Sequence, residues 1–251
     1  MMNRIMLLAI FIVVAVVSIL WWRLPICYGK WSKQTLYVGM MDIWYGGSKD
    51  SHAHAMWIDD DGTEGVFIVK TISDELDIHA NFAVIADRIK PDVADSLTSW
   101  QRQGAGIVLH GLRHERWKNW GETKIKEDIL KSYQKLNELG FDTTRILKLI
   151  LPPHGCNTKA IRQVIKQQGC QMISGANLIN PDRHVFQLGR IAITSQTDTT
   201  TMHKLLQNAY DRKAFVIFGT HSSISSSFSA EKTIQVLKMA KEIGFIFDIY
   251  E

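Results

Sequence analysis

The segment Ala53-His54-Ala55-Met56-Trp57-Ile58-Asp59-Asp60-Asp61-Gly62 runs an apolar stretch into three consecutive acids and a glycine. A short apolar run closed by turn-forming residues reads as a buried strand. Carboxylates at its end place chemistry where strand gives way to loop. Downstream, helical spacing over Glu64 to Leu76 is followed by the strand-like Ala80 to Ala86, and the alternation continues. A helix is expected near Asp92 to Gln103, a strand at Gly106 to Leu109, a helix at Lys124 to Leu139 and a strand at Ile146 to Leu151. The second half predicts helix Thr158 to Gln168, strand Gln171 to Ser174, an irregular stretch to Gly189 and strand Arg190 to Thr194. Helix Thr200 to Asp211, strand Ala214 to Phe218, helix Ala230 to Ile243 and strand Phe245 to Tyr250 complete the series. About seven strands alternating with helices predict an α/β fold, a distorted (β/α) barrel of parallel strands with right-handed crossovers.

Ahead of this domain, Ile5 to Trp22 is apolar except for Ser18, close to the roughly 20 residues that span a bilayer. Trp21-Trp22-Arg23 resembles an interfacial belt. The run exceeds a signal peptide's apolar core of about 7 to 15 residues and lacks a small-x-small cleavage site, so an uncleaved transmembrane helix is expected. Residues 1–33 read as a membrane anchor with its flank and 34–251 as the catalytic domain, which is expected to be an extracytoplasmic monomer. Basic residues on both sides of the run leave orientation open.

The 251 residues carry a formal charge of +4, and all of the excess lies in Met1 to Lys33 through Arg4, Arg23, Lys30 and Lys33. The remainder is balanced, which argues against nucleic acid as a partner. Three cysteines cannot all pair within one chain, and a helix expected between Cys156 and Cys170 holds those two apart.

In parallel α/β folds the site lies at the carboxyl ends of the strands. Four strings meet that condition: Asp59 to Gly62, His110-Gly111-Leu112-Arg113-His114, Leu151-Pro152-Pro153-His154-Gly155 and Thr220-His221. On an extended backbone Asp60 and Asp61 point in different directions, so one can bind metal while the other handles protons. Capping of a helix is the ordinary alternative for such acids. His110 and His114, four apart, would share a face on a helical turn and grip one ion. Gly111 stands where helical zinc proteases have Glu, which disfavours that class. One carboxylate and two imidazoles leave a position open for water, the pattern of a catalytic zinc site. The same donors also suit Fe(II), which keeps a non-haem oxygenase as a rival. The proline-stiffened loop could turn backbone amides toward an oxyanion, and His221 has the pKa range of a general acid. Trp57, Trp117 and Trp120, near the expected rim, could offer stacking faces or simply pack.

In this order the motifs resemble the polysaccharide deacetylases of carbohydrate esterase family four, the nodulation-B homology domain, over about Ala53 to Tyr250. The family's Thr-Phe-Asp-Asp-Gly is similar to Ile58 to Gly62, with Asp59 where an aromatic is usual. Its His-(Ser/Thr)-x-x-His is similar to His110 to His114, and Ala80-Asn81-Phe82-Ala83-Val84 sits at its Ala-Thr-Phe-Phe strand. Its Arg-Pro-Pro-Tyr-Gly appears as Leu151 to Gly155, without the arginine that orients the base. Its Leu-x-His keeps only His221, and its Asp-x-x-x-Trp motif has only Asp182 as a counterpart.

The resemblance implies Asp60 as catalytic base, Asp61, His110 and His114 as ligands of Zn²⁺ (or Co²⁺, Ni²⁺, Mn²⁺, Fe²⁺), Pro153 and His154 at the oxyanion and His221 as acid. Trp117 and Trp120 would contact substrate. The expected activity is metal-dependent removal of N- or O-acetyl groups from a glycan. A glycan-binding protein of the same fold that has lost turnover is the alternative, suggested by Leu151.

Overall fold

The computed structural model describes residues 51–63, 65–175, 179–224 and 226–247. The anchor expected in residues 1–33 lies outside them. Among the described residues no helix is long and apolar enough to cross a membrane.

Nine short strands form one parallel sheet: β1 (His54–Asp61), β2 (Ala80–Val84), β3 (Gly106–Leu109), β4 (Leu149–Ile150), β5 (Gln171–Ile173), β6 (Gln187–Leu188), β7 (Ile191–Ala192), β8 (Phe215–Thr220) and β9 (Ile246–Phe247). Among the described residues six helices connect them: α1 (Val66–Leu76), α2 (Pro91–Arg102), α3 (Glu122–Glu138), α4 (Lys159–Gln167), α5 (Thr199–Asp211) and α6 (Ala230–Ile243). The order is β6-β5-β4-β3-β2-β1-β8-β7, with β9 beside β1. The two ends of that order, β6 and β7, are joined only by Gly189 and Arg190. Three Cα steps of 3.8 Å cannot exceed about 11 Å, so the sheet must curl until its edges nearly meet. The result is the distorted barrel that the alternation implied, closed by a short covalent seam instead of a hydrogen-bonded ladder.

Strand periodicity sorts the core into two layers. Trp57, Phe82, Val84, Ile107, Leu109, Val216 and Phe218 face outward and pack with the helices. Met56, Ile58, Ala83, Val108, Leu149, Leu151, Ile173, Leu188, Phe215 and Ile217 fill the interior. Helix starts are fixed locally: Asp198 accepts from the Thr200 and Thr201 amides, and Ser229 accepts from the Lys232 amide.

Several boundaries differ from the expectation for physical reasons. β1 does not stop before the acids but runs through Asp61, because Asp59, Asp60 and Asp61 still register with Phe82, Ala83 and Val84 of β2. The strand expected over Ile146 to Leu151 keeps only Leu149 and Ile150 in the ladder. β6 lay hidden in the irregular stretch, since two residues with one buried carry no readable period. Cys156 and Cys170 are both free and buried.

Candidate metal and proton-transfer site

The register of β1 with β8 builds the mouth of the barrel. Ile58 faces Gly219 and Asp59 faces Thr220, so side-chain alternation carries Asp60 and His221 to the interior side one step further on. There, His221 Nε2 lies 2.8 Å from Asp60 Oδ2, and Arg190 Nη1 lies 2.5 Å from Asp60 Oδ1. Asp60 is 1% exposed. Burial alone would raise its carboxyl, but Arg190 and His221 outweigh it and hold Asp60 well below the usual carboxylate range. Its Oδ2, despite the close ion pair, accepts no well-directed hydrogen bond among the described residues. For His221, burial opposes the charge, yet the contact with Asp60 raises the imidazole above its ordinary value.

Asp59 turns to the outer layer. Its carboxylate accepts from Thr220 Oγ1 at 2.6 Å and from the Ser222 amide at 3.0 Å, and Ser222 Oγ donates to its second oxygen. Trp57 Nε1 donates to the same Thr220 hydroxyl. Burial pushes the Asp59 carboxyl up to about 6, against those hydrogen bonds. Adjacent carboxyls on one strand are thus driven in opposite directions by the two faces of the sheet.

Asp61, His110 and His114 form the third element of the mouth. One donor atom from each lies within 4.8 Å of the other two. His110 Nε2 is 3.9 Å from Asp61 Oδ1, and the His110 and His114 rings are 4.7 Å apart. Ligands about 2.1 Å from a tetrahedral ion sit about 3.4 Å from one another, so this set fits one cation with slight closure. His110 Nδ1 lies 2.7 Å from the Leu151 carbonyl, which takes its proton and leaves Nε2 to face Asp61. Burial holds both imidazoles below their ordinary value, and His114, also beside His110, falls to about 4. Both are therefore neutral at pH 7, as metal ligands must be. Ser223 Oγ donates to Asp61 Oδ2 at 2.7 Å, leaving Oδ1 on the histidine side.

The backbone here is bent to serve the side chains. Asp61 (φ 82), His114 (φ 62) and His154 (φ 57) all lie in the left-handed region. Such a residue costs about 1 kcal/mol or more and persists only where its surroundings impose it. The loop from His110 to His114 is not the expected helical turn. It folds back through Gly111 (φ +82), where an added Cβ would stand 2.9 Å from Pro153 and 3.3 Å from Asp128. That crowding accounts for glycine in place of a hydroxyl residue. Asp128 accepts from the Leu112 amide at 3.0 Å, and Arg113 pairs with Asp87 at 2.7 Å, which pins the loop from outside.

Pro153 and His154 form a single tight turn, with the His154 ring 4.3 Å from that of His114 and its Nε2 3.0 Å from the His114 carbonyl. Trp117 and Trp57 are fully buried at 0% exposure, which corrects the idea that either could stack on a sugar. Trp120 is half-buried; it stacks on Trp117 at 6.4 Å between ring centroids, and Lys124 Nζ lies 3.9 Å from its ring centroid. Asp182 accepts from the His184 amide and, among the described residues, makes no hydrogen bond or ion pair with the residues of the mouth. Sequence reasoning missed Arg190, whose only signal was its place as the first residue of an expected strand.

The family profile described as polysaccharide deacetylase matches residues 47–173, half of the chain, and the protein belongs to that family. No curated protein sequence matches it. Among solved structures it is similar to a polysaccharide deacetylase from Bacillus cereus, with 17% identity, 79% of this chain and 92% of that one covered, and a TM-score of 0.54. It is also similar to an acetyl xylan esterase from Clostridium thermocellum solved with a cobalt ion, at 15% identity, with 77% and 86% covered and a TM-score of 0.55. A peptidoglycan N-acetylglucosamine deacetylase gives 14% identity, 80% and 88% coverage and a TM-score of 0.57. At such identities the likeness is one of fold.

Proposed function

We propose that the protein is a metal-dependent deacetylase that removes N- or O-acetyl groups from a glycan. The observation that carries this reading is a donor triad, Asp61, His110 and His114, beside a buried carboxylate held between an arginine and a histidine. A divalent cation, zinc foremost, would be held by those three residues and supply Lewis acidity to the acetyl carbonyl and to an attacking water.

The remaining steps belong to the chain. Asp60, kept ionised beside Arg190 and His221, accepts the proton of the water. Pro153 has no N–H and that of Gly155 is committed to the Pro152 carbonyl, so the amide of His154 serves the developing oxyanion. His221, whose imidazole the contact with Asp60 raises above its ordinary value, gives its proton to the leaving amine or alkoxide. Trp120 would border the substrate only by its edge. The apolar run Ile5 to Trp22 would anchor the domain to a membrane, with the substrate in the cell envelope.

The test is acetate release from acetylated chito- and xylo-oligosaccharides with and without chelator. Release that stops on chelation and returns with zinc is expected. A protein that binds zinc and frees no acetate from any of them would be a glycan-binding relative instead.

A further inference from the structure

Resting on that reading, we propose that Arg190 is the positioning residue of the general base Asp60, and that Gly219 is the opening through which it reaches. Position 151 has no cation to offer: Leu151 is fully buried in the apolar interior layer. The charge that faces Asp60 comes from the opposite side of the sheet, at the seam between β6 and β7. Three features of this chain make that crossing work.

First, the Arg190 side chain is only 12% exposed and reaches Asp60 Oδ1, while His221 Nε2 lies 2.8 Å from Oδ2, so the two side chains face different oxygens of one carboxylate. A carboxylate with a partner at each oxygen is restrained from rotating, and its free lone pairs keep fixed directions. Second, Gly219 lies on the interior side of β8, and a Cβ there would stand 3.0 Å from Arg190 Cδ, 3.3 Å from Nη1 and 3.4 Å from Nε. The guanidinium passes over bare backbone, a path that the leucine expected at this position would fill. Third, the seam is anchored. The buried side chain of Asn180 donates to the Gly189 carbonyl at 2.9 Å and accepts from the Gly189 amide at 2.7 Å, which fixes the residue just before the arginine. The loss of an arginine at 151, the glycine at 219 and the arginine at 190 are therefore one coordinated arrangement.

The full chain, Arg190→Met, Arg190→Lys, Gly219→Leu, Asp60→Asn and the pairs Arg190→Met with Gly219→Leu and Arg190→Met with Asp60→Asn are compared by zinc titration, thermal unfolding and acetate-release kinetics. Arg190→Met is expected to lower kcat roughly 10- to 100-fold with KM and zinc affinity near the parent's. Arg190→Lys should recover part of that loss, and Gly219→Leu should reproduce the Arg190→Met defect without adding to it when the two are combined. Arg190→Met leaves a buried charge unmatched and lowers Tm, and adding Asp60→Asn should return the lost degrees. An unchanged kcat in Arg190→Met, or a Tm that Asp60→Asn does not restore, overturns the proposal. Should the parent release no acetate, the deacetylase reading falls, while the unfolding cycle still upholds or overturns the arginine's hold on Asp60.

Discussion

Asp61, at the end of the first strand, and His110 and His114, in the loop after the third, lie inside the stretch that matches the family, whereas Arg190, in the seam between β6 and β7, Gly219, in β8, and His221, just after β8, lie beyond it. The first group sits on bent backbone, with left-handed residues at Asp61 and His114 held by outside contacts. In the second group Gly219 and His221 follow the register and alternation of β8, while Arg190 reaches the mouth from the seam. Metal donors must converge on one point and justify local strain, while a proton relay needs only a buried carboxylate with a partner on each oxygen. The two halves should therefore fail separately.

The largest effects should come from each half's central residue. His110→Ala is expected to abolish zinc binding and acetate release together, read by calorimetric titration and by activity. Asp60→Asn should cost on the order of 10³-fold in kcat while zinc still binds. Next, His221→Ala should cost on the order of 10²-fold, more for amide than for ester substrates because the amine leaves less readily without a proton. Comparable losses on both substrates would remove His221 from the acid role and blur the division.

Stability offers a finer test, because Asp59 and Asp60 lie on opposite faces of the same strand. Trp117→Ala should lose about 3–5 kcal/mol in denaturant unfolding, with KM unaffected, since the ring is core and not binding surface. The Asp59 carboxyl is raised in the fold from 3.8 to about 6, so the folded state is penalised as pH rises through that window, by up to about 3 kcal/mol. Asp59→Asn should remove this slope between pH 4 and 6, measured by unfolding across pH. Asp60 is lowered in the fold, so its contribution has the opposite sign: present at neutral pH and lost on acidification. The smallest effect expected is a less than threefold rise in KM for Trp120→Ala, whose ring is already engaged by Trp117 and Lys124.

Much of this was legible in the sequence. The strand Gly106–Leu109 and the helix Ala230–Ile243 were readable to the residue because apolar period and flanking glycine or serine agree there. The donor triad was legible because a strand end limits where a side chain can go. His110 and His114 were paired correctly for the wrong reason, since positive φ at Gly111 and His114, not a helix, brings them together. Arg190 was illegible, because its role depends on a sheet curling until residues 130 apart in sequence meet, and two-residue strands leave no pattern. Leu151, read as a loss, contributes its carbonyl to His110 instead, a backbone role that side-chain identity does not reveal.

The division between a metal side and a proton side is tested most directly by titrating zinc into chelator-stripped parent, Asp60→Asn and His110→Ala in parallel. One equivalent should bind to the parent and to Asp60→Asn with similar affinity, and none to His110→Ala. Zinc that stays with His110→Ala, or leaves with Asp60→Asn, would contradict the assignment of donors made here.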